Sequence, residues 1–146
     1  MSTIEKIATA LAELLNSAEA PYALGEGVSA TWSPRPQFDL DALGVLHVTI
    51  VPAGVELVRA DRARWWWIWS LDVGIQQRLD AELALADETA RLLELTEQIV
   101  GWISSQPLAA CPDAKLVRIA IEPIYSAEHL ARMGQFTSVI RTGYQT

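Results

Sequence analysis

Residues 65–75 read WWWIWSLDVGI and hold four of the chain's six tryptophans within five positions. Taken at alternate positions, Trp65, Trp67, Trp69, Leu71, Val73 and Ile75 share one side, and Trp66, Ile68, Ser70, Asp72, Gly74 and Gln76 share the other. A period of two sustained this far belongs to a β-strand, whose successive side chains point to opposite faces. Twelve residues at about 3.3 Å each span roughly 40 Å, long for a small domain. Whatever this chain folds into is therefore built around one long strand. The row from Trp65 to Ile75 is expected to face a core under helices, which leaves Trp66 and Ile68 on the opposite side. Two large apolar neighbours on the uncovered side of a sheet call for a second covering surface, from a loop or from another subunit.

The elements around that strand follow from local signals. Ile4, Ile7, Leu11, Leu14 and Leu15 repeat at helical spacing behind Ser2 and Thr3, and predict a helix over 3–18 before Pro21. From Tyr22 to Ser33 the chain turns from glycine-punctuated to β-like and closes on Pro34 and Pro36. FDLDAL (38–43) reads as a turn opened by Asp39. VLHVTIV (45–51) reads as a strand stopped by Pro52-Ala53-Gly54. VELVRADRA (55–63) reads as a polar connector, so that 53–63 forms the protruding tip of a long hairpin. Asp87 is expected to cap a helix over 87–105 carrying Leu92, Thr96, Ile99 and Ile103 on one stripe. KLVRIAIEP (115–123) alternates, with Val117, Ile119 and Ile121 on one side; SAEHLARMG reads as a loop and FTSVIRTGYQ (136–145) as a closing strand. The order α-β-β-β-α-β-β predicts an α+β fold: a single domain over 1–146 with one mainly antiparallel sheet of four to five strands and two helices packed on one face.

Composition excludes several function classes. The chain has 11 basic and 18 acidic residues, a formal charge of −7, which opposes an electrostatic grip on nucleic acid or on anionic lipid. A base-stacking role for the tryptophans would need a basic groove, for which only Arg59, Arg62 and Arg64 are clustered. No apolar run approaches the roughly 20 residues that cross a bilayer, and MSTIEKIATALAELL lacks the order of a signal peptide. Cys111 is the one cysteine, so the chain is expected to be a soluble protein of a reducing cytoplasm. His47 and His129 fall in different elements with no second ligand nearby in sequence, and Asp39 and Asp41 read as turn residues. Pro112-Asp113 lacks the Glu-x-Lys half of a nuclease signature, Ser104 and Ser105 lack a glycine-flanked elbow, and Gly25-x-Gly27 precedes a strand rather than a helix. Neither an enzyme mechanism nor a metal or cofactor is indicated.

The order of segments over nearly the whole chain resembles small proteins of the tail-terminator or neck type, encoded among the head–tail joining and tail genes of tailed phages and prophages. The resemblance is carried by the N-terminal helix, by Trp32-Ser33-Pro34 followed by FDLDAL, and by VLHVTIVPAG with its Arg-containing connector. The long strand ending DVGIQQRL, the capped Leu/Glu-rich helix and the final FTSVIRTGYQT complete it. It departs from that group in the aromatic WWWIW cluster. The resemblance implies a virion morphogenesis protein, present in the virion and in the bacterial host cytoplasm during assembly. Such proteins form ring-shaped homo-oligomers, typically hexamers, and dock on tail-tube and connector proteins. Neither a membrane nor a specific nucleic-acid sequence is an expected partner. Trp66 and Ile68, with Arg62 and Arg64, are the candidate subunit interface; Gly54, Glu56, Arg59 and Asp61 are the candidate assembly loop. Two other readings stay open on the residues themselves. One is a small protein- or peptide-binding module, and the other an enzyme with a divalent metal on Asp39, Asp41 and Asp72.

Overall fold

A computed structural model describes residues 1–34, 45–79 and 85–146. The elements run α1 (Thr3–Leu15), β1 (Ala30–Trp32), β2 (His47–Arg59), β3 (Trp65–Arg78), α2 (Leu85–Ser105), β4 (Lys115–Ile121), α3 (Ala127–Met133) and β5 (Gln135–Gln145). The five strands form one mixed sheet in the order β1-β2-β3-β5-β4, in which only the β1–β2 pair is parallel. The class is α+β, as the segment order implies. The FDLDAL turn, with Asp39 and Asp41, lies outside the described residues.

α1 begins on a reciprocal cap: Ser2 Oγ accepts from the Glu5 N–H at 3.4 Å, and the Glu5 carboxylate accepts from the Ser2 N–H at 2.7 Å. The helix ends at Asn16, five residues short of Pro21, and Asn16 then does something a helix end rarely does. Its side-chain amide accepts from the Ala30 N–H at 2.7 Å and donates to the Ala30 carbonyl at 2.9 Å. The amide thereby acts as a one-residue strand partner for β1 and fixes the helix end to the sheet. α2 begins at Leu85, so Asp87 stands inside the first turn rather than at its cap. An acid is favoured in either place by the partial positive charge of the helix start.

α1 and α2 cover one face. Ile7, Leu11 and Leu15 of α1 and Leu92, Ile99 and Ile103 of α2 are buried against the rows Val48–Ile75, Ile50–Val73–Ile140 and Leu71–Thr142. The Trp102 indole N–H donates to the Leu14 carbonyl at 2.9 Å and holds the two helices together.

Four readings are corrected. Residues 55–59 are not a connector: β2 continues to Arg59 and the turn is only 60–64. Residues 126–134 are not a loop; Ser126 caps α3 by accepting from the His129 N–H, and Gly134 ends it in the left-handed conformation. In β4 a register shift between Leu116 and Arg118 displaces Val117, so Leu116, Ile119 and Ile121 face the core and Val117 is exposed. The fourth concerns the tryptophans. The parity holds, since Trp69, Leu71, Val73 and Ile75 turn to the helices, but Trp65 and Trp67 are not among the residues packed on the core and stay about half exposed. Length decides this. Fourteen residues of β3 span about 45 Å, whereas the 13 residues of α1 span about 20 Å and the 21 of α2 about 30 Å.

Replacing Asn16 by Ala removes both bonds to Ala30 and leaves a buried backbone donor unpaired, which costs about 1–3 kcal/mol. Urea unfolding of Asn16→Ala is expected to show that loss with an unchanged m-value. A midpoint within error of wild type would mean that β1 is held by its pairing with β2 alone.

Candidate functional site

Beyond the row of Leu71, the hairpin of β2 and β3 leaves the body as an arm. From Leu71 to Trp65 it runs roughly 20 Å at 3.3 Å per residue. Within it Gly54, Val55, Glu56, Leu57, Val58 and Arg59 pair with Ser70, Trp69, Ile68, Trp67, Trp66 and Trp65 in turn. A register shift between Pro52 and Gly54 marks its root, where the strands twist away from the body. β5 follows the arm only to the pair Ile68–Gln145 and to Thr146, whose N–H donates to the Trp67 carbonyl at 2.9 Å. β1 pairs no further out than Ile50. The outer half of the arm is thus a two-stranded ribbon among the described residues.

Both faces of that ribbon are apolar. On the helix side lie Val55, Leu57, Trp65 and Trp67; on the other lie Val58 and Trp66. Trp65, Trp66 and Trp67 are 50%, 42% and 41% exposed. Trp67 stacks on Trp69 at 5.5 Å between ring centroids, and Arg59 lies 5.5 Å from the centre of the Trp65 ring. Trp69 is anchored at the root through its indole N–H, which donates to Thr146 Oγ1 at 3.0 Å.

The turn is organised by Asp61. Its carboxylate accepts from the N–H groups of Ala63 and Arg64 at 2.8 and 2.9 Å and from Arg64 Nε at 3.0 Å. The Ala63 N–H, then the Arg64 side chain, hold its pKa below the ordinary aspartate value. Arg59 donates to the carbonyls of Asp61 and Arg62. Arg62 has no ion pair among the described residues.

The expected interface residues are therefore redistributed. Trp66, Arg62 and Arg64 are exposed at the end of the arm, and Arg59 and Asp61 belong to the same tip. Gly54 and Glu56 lie on strand β2 near the root, with Glu56 paired to Arg118 at 3.3 Å. Ile68 is 8% exposed, so it offers no free surface. A Cβ placed on Gly143 would come 3.1 Å from Arg118 Cβ and 3.3 Å from Ile68 Cγ2; the absence of a side chain there lets Ile68 and Arg118 close over the strand. Trp65 and Trp67 were not among the expected interface residues, and Val55, Leu57 and Val58 fell only within the expected 53–63 tip; together they make up most of the arm's exposed apolar surface.

A second feature, absent from the sequence reading, is the sheet face turned away from α1 and α2. A groove of about 640 Å³ runs along it between Glu56, Asp72, Arg118, Glu122 and Arg141. It adjoins a smaller cavity of about 220 Å³ that shares Asp72 and is lined by Thr49, Gln76, Thr137 and His129. α3 flanks this cavity, with His129 Nδ1 3.1 Å from Thr137 Oγ1. Among the described residues no three His, Cys, Asp or Glu side chains are grouped as a metal site. No described helix is long and apolar enough to cross a membrane.

No protein-family model matches the chain, and no curated protein matches it.

Asp72 is half-buried in this groove, directly across the strand pair from Arg141. Burial raises its pKa above the ordinary aspartate value, and the charge of Arg141 opposes that rise in part. An acid whose pKa is raised by folding gives a contribution present at low pH and lost as pH rises through the folded value. Asp72→Asn is therefore expected to unfold at a higher urea concentration than wild type at pH 7, with the gap closing as pH falls through the carboxylate range. A variant less stable than wild type at pH 7 would show that the pairing with Arg141 outweighs the burial.

Proposed function

We propose that this protein is a self-associating structural component of the phage tail-terminator or neck type, which assembles into a ring and docks on tail-tube or connector proteins without catalysing a reaction. The observation that carries the self-association is the arm. The largest contiguous apolar patch on a monomeric protein is typically about 300–600 Å², and such patches are often functional. Three tryptophans exposed by nearly half present about 300 Å² of aromatic surface, taking 150–250 Å² for a whole side chain. At about 25 cal/mol per Å² its burial is worth roughly 7 kcal/mol, which lies inside the estimated 4–15 kcal/mol cost of association. The arm is thus large enough to drive assembly once other surface joins it, and too costly to be an ornament. Tryptophan and arginine, which make up its tip, are the residue types most enriched at interface hot spots.

The assignment to a virion rests on the resemblance of the segment order to that of the tail-terminator and neck group. An acidic body suits a ring around a passing DNA strand, which a basic lumen would retain. Ring, virion and docking partners stand or fall together in one comparison. Light scattering after size exclusion, with negative-stain microscopy, is expected to show the wild-type chain as closed rings and the Trp65→Ser/Trp66→Ser/Trp67→Ser variant as a folded monomer. The three side chains touch little of the core, so the variant should stay folded, with an unfolding free energy lower by about 1–3 kcal/mol through loss of the Trp67–Trp69 stack and of Arg59 over Trp65. A wild-type chain that stays monomeric, or a variant that assembles equally well, overturns the proposal.

A further inference from the structure

We infer that the arm of one copy is received by the open sheet face of the next, in the groove beside Asp72, Arg118 and Glu122, so that the contact runs head to tail. This rests on the self-association just proposed and specifies its receptor.

The first argument is the shape of the arm's apolar surface. Trp65, Trp67 and Leu57 lie on one face of the ribbon and Trp66 and Val58 on the other. Two arms laid flat against each other cover one face apiece and leave the second face of both in water. A groove takes in a ribbon from more than one side. Area argues the same way: a stable interface uses about 800 Å² per partner, well beyond the surface at the tip of one arm. The contact must therefore recruit the body of a partner.

The second argument is charge. Residues 53–67 carry Arg59, Arg62 and Arg64 against Glu56 and Asp61, which leaves 8 basic and 16 acidic residues on the rest of the chain. Arg64 is bound to Asp61 and Arg59 is turned onto Trp65, while Arg62 has no ion pair among the described residues. A basic tip on an acidic body is repelled by another tip and drawn to another body. Of the acids along the groove, Glu56 is paired with Arg118, whereas Glu122 is exposed and has no ion pair among the described residues.

The third argument comes from polar groups. Gln76 and Thr49 are each 95% buried, line the smaller cavity, and have no side-chain hydrogen-bond partner among the described residues. Their polar atoms are not sealed from solvent, so a hydrogen-bonding occupant of the cavity can reach them. A guanidinium brings five donors and no acceptor, which suits the Gln76 carbonyl, the Thr49 hydroxyl and the shared Asp72 carboxylate. Symmetry agrees. A head-to-tail contact closes into a ring when its rotation divides a full turn, whereas tip-to-tip pairing ends at a dimer.

The test is site-directed crosslinking in a Cys111→Ser background. Ala63→Cys stands on the tip and Ala120→Cys in the groove, both at exposed positions that leave every arginine in place. With a short bis-maleimide, the double variant is expected to form covalent species larger than a dimer, and neither single variant is. Ala120→Trp, which fills the groove from its exposed side, is expected to shift the elution of the chain to monomer while its urea midpoint stays unchanged. Dimers from Ala63→Cys alone would show that tips meet tips. Rings that neither crosslink in the double variant nor yield to Ala120→Trp would place the arm elsewhere. Both outcomes overturn this inference and leave the ring-forming reading standing, whereas a wild-type monomer removes both.

Discussion

The structure turns on a mismatch between one strand and the layer that covers it. β3 pairs with β2 along twelve residues and with β5 along eleven, which makes it the axis of the sheet. Its inner half, from Leu71 to Ile75, is sealed by α1 and α2 and supplies the core. Its outer half carries the same alternation past the end of that cover. Tryptophan has strong β propensity and a large apolar surface, so a strand built from it keeps its pairing in water but retains a strong drive to be covered. The same side-chain pattern holds the body together and leaves the arm unsatisfied.

That mismatch also explains what could be read from the sequence. The period of two assigns every residue of β3 to its correct face, because a pleated strand permits nothing else. Whether a given face is covered depends on where helices end in space, which no local pattern records; hence Trp65 and Trp67 read as core, and Ile68 as exposed. VELVR looked like a connector because an arm wetted on both sides can carry Glu56 and Arg59 among its valines. Val117 shows a second limit: one displaced residue in β4 passes its core position to Leu116, while Ile119 and Ile121 stay on the side the alternation assigns them. α3 is seven residues long, too short to show a helical period, and only its caps, Ser126 and Gly134, announced it.

The open face was illegible for a different reason. Thr49, Asp72, Gln76, Thr137 and Arg141 come from three strands, and only the pairing of Thr49 with Gly74 and of Gly74 with Val139 brings them together. None belongs to a recognisable motif. As a set they place polar side chains beside a groove, on the side of the sheet turned away from α1 and α2. Local chemistry fixes the elements, but surface chemistry of this kind is created by register.

The irregularity at the root of the arm has a consequence for symmetry. Between Pro52 and Gly54 one residue, Ala53, has no partner on β3, and a bulge of this kind bends its strand and sharpens the local twist. It therefore sets the angle at which the ribbon leaves the body. In a head-to-tail assembly that angle contributes to the rotation from each copy to the next, and the rotation decides how many copies complete a circle. A single unpaired alanine, itself on the wall of the groove, would then bear on the number of subunits through geometry as well as through contact.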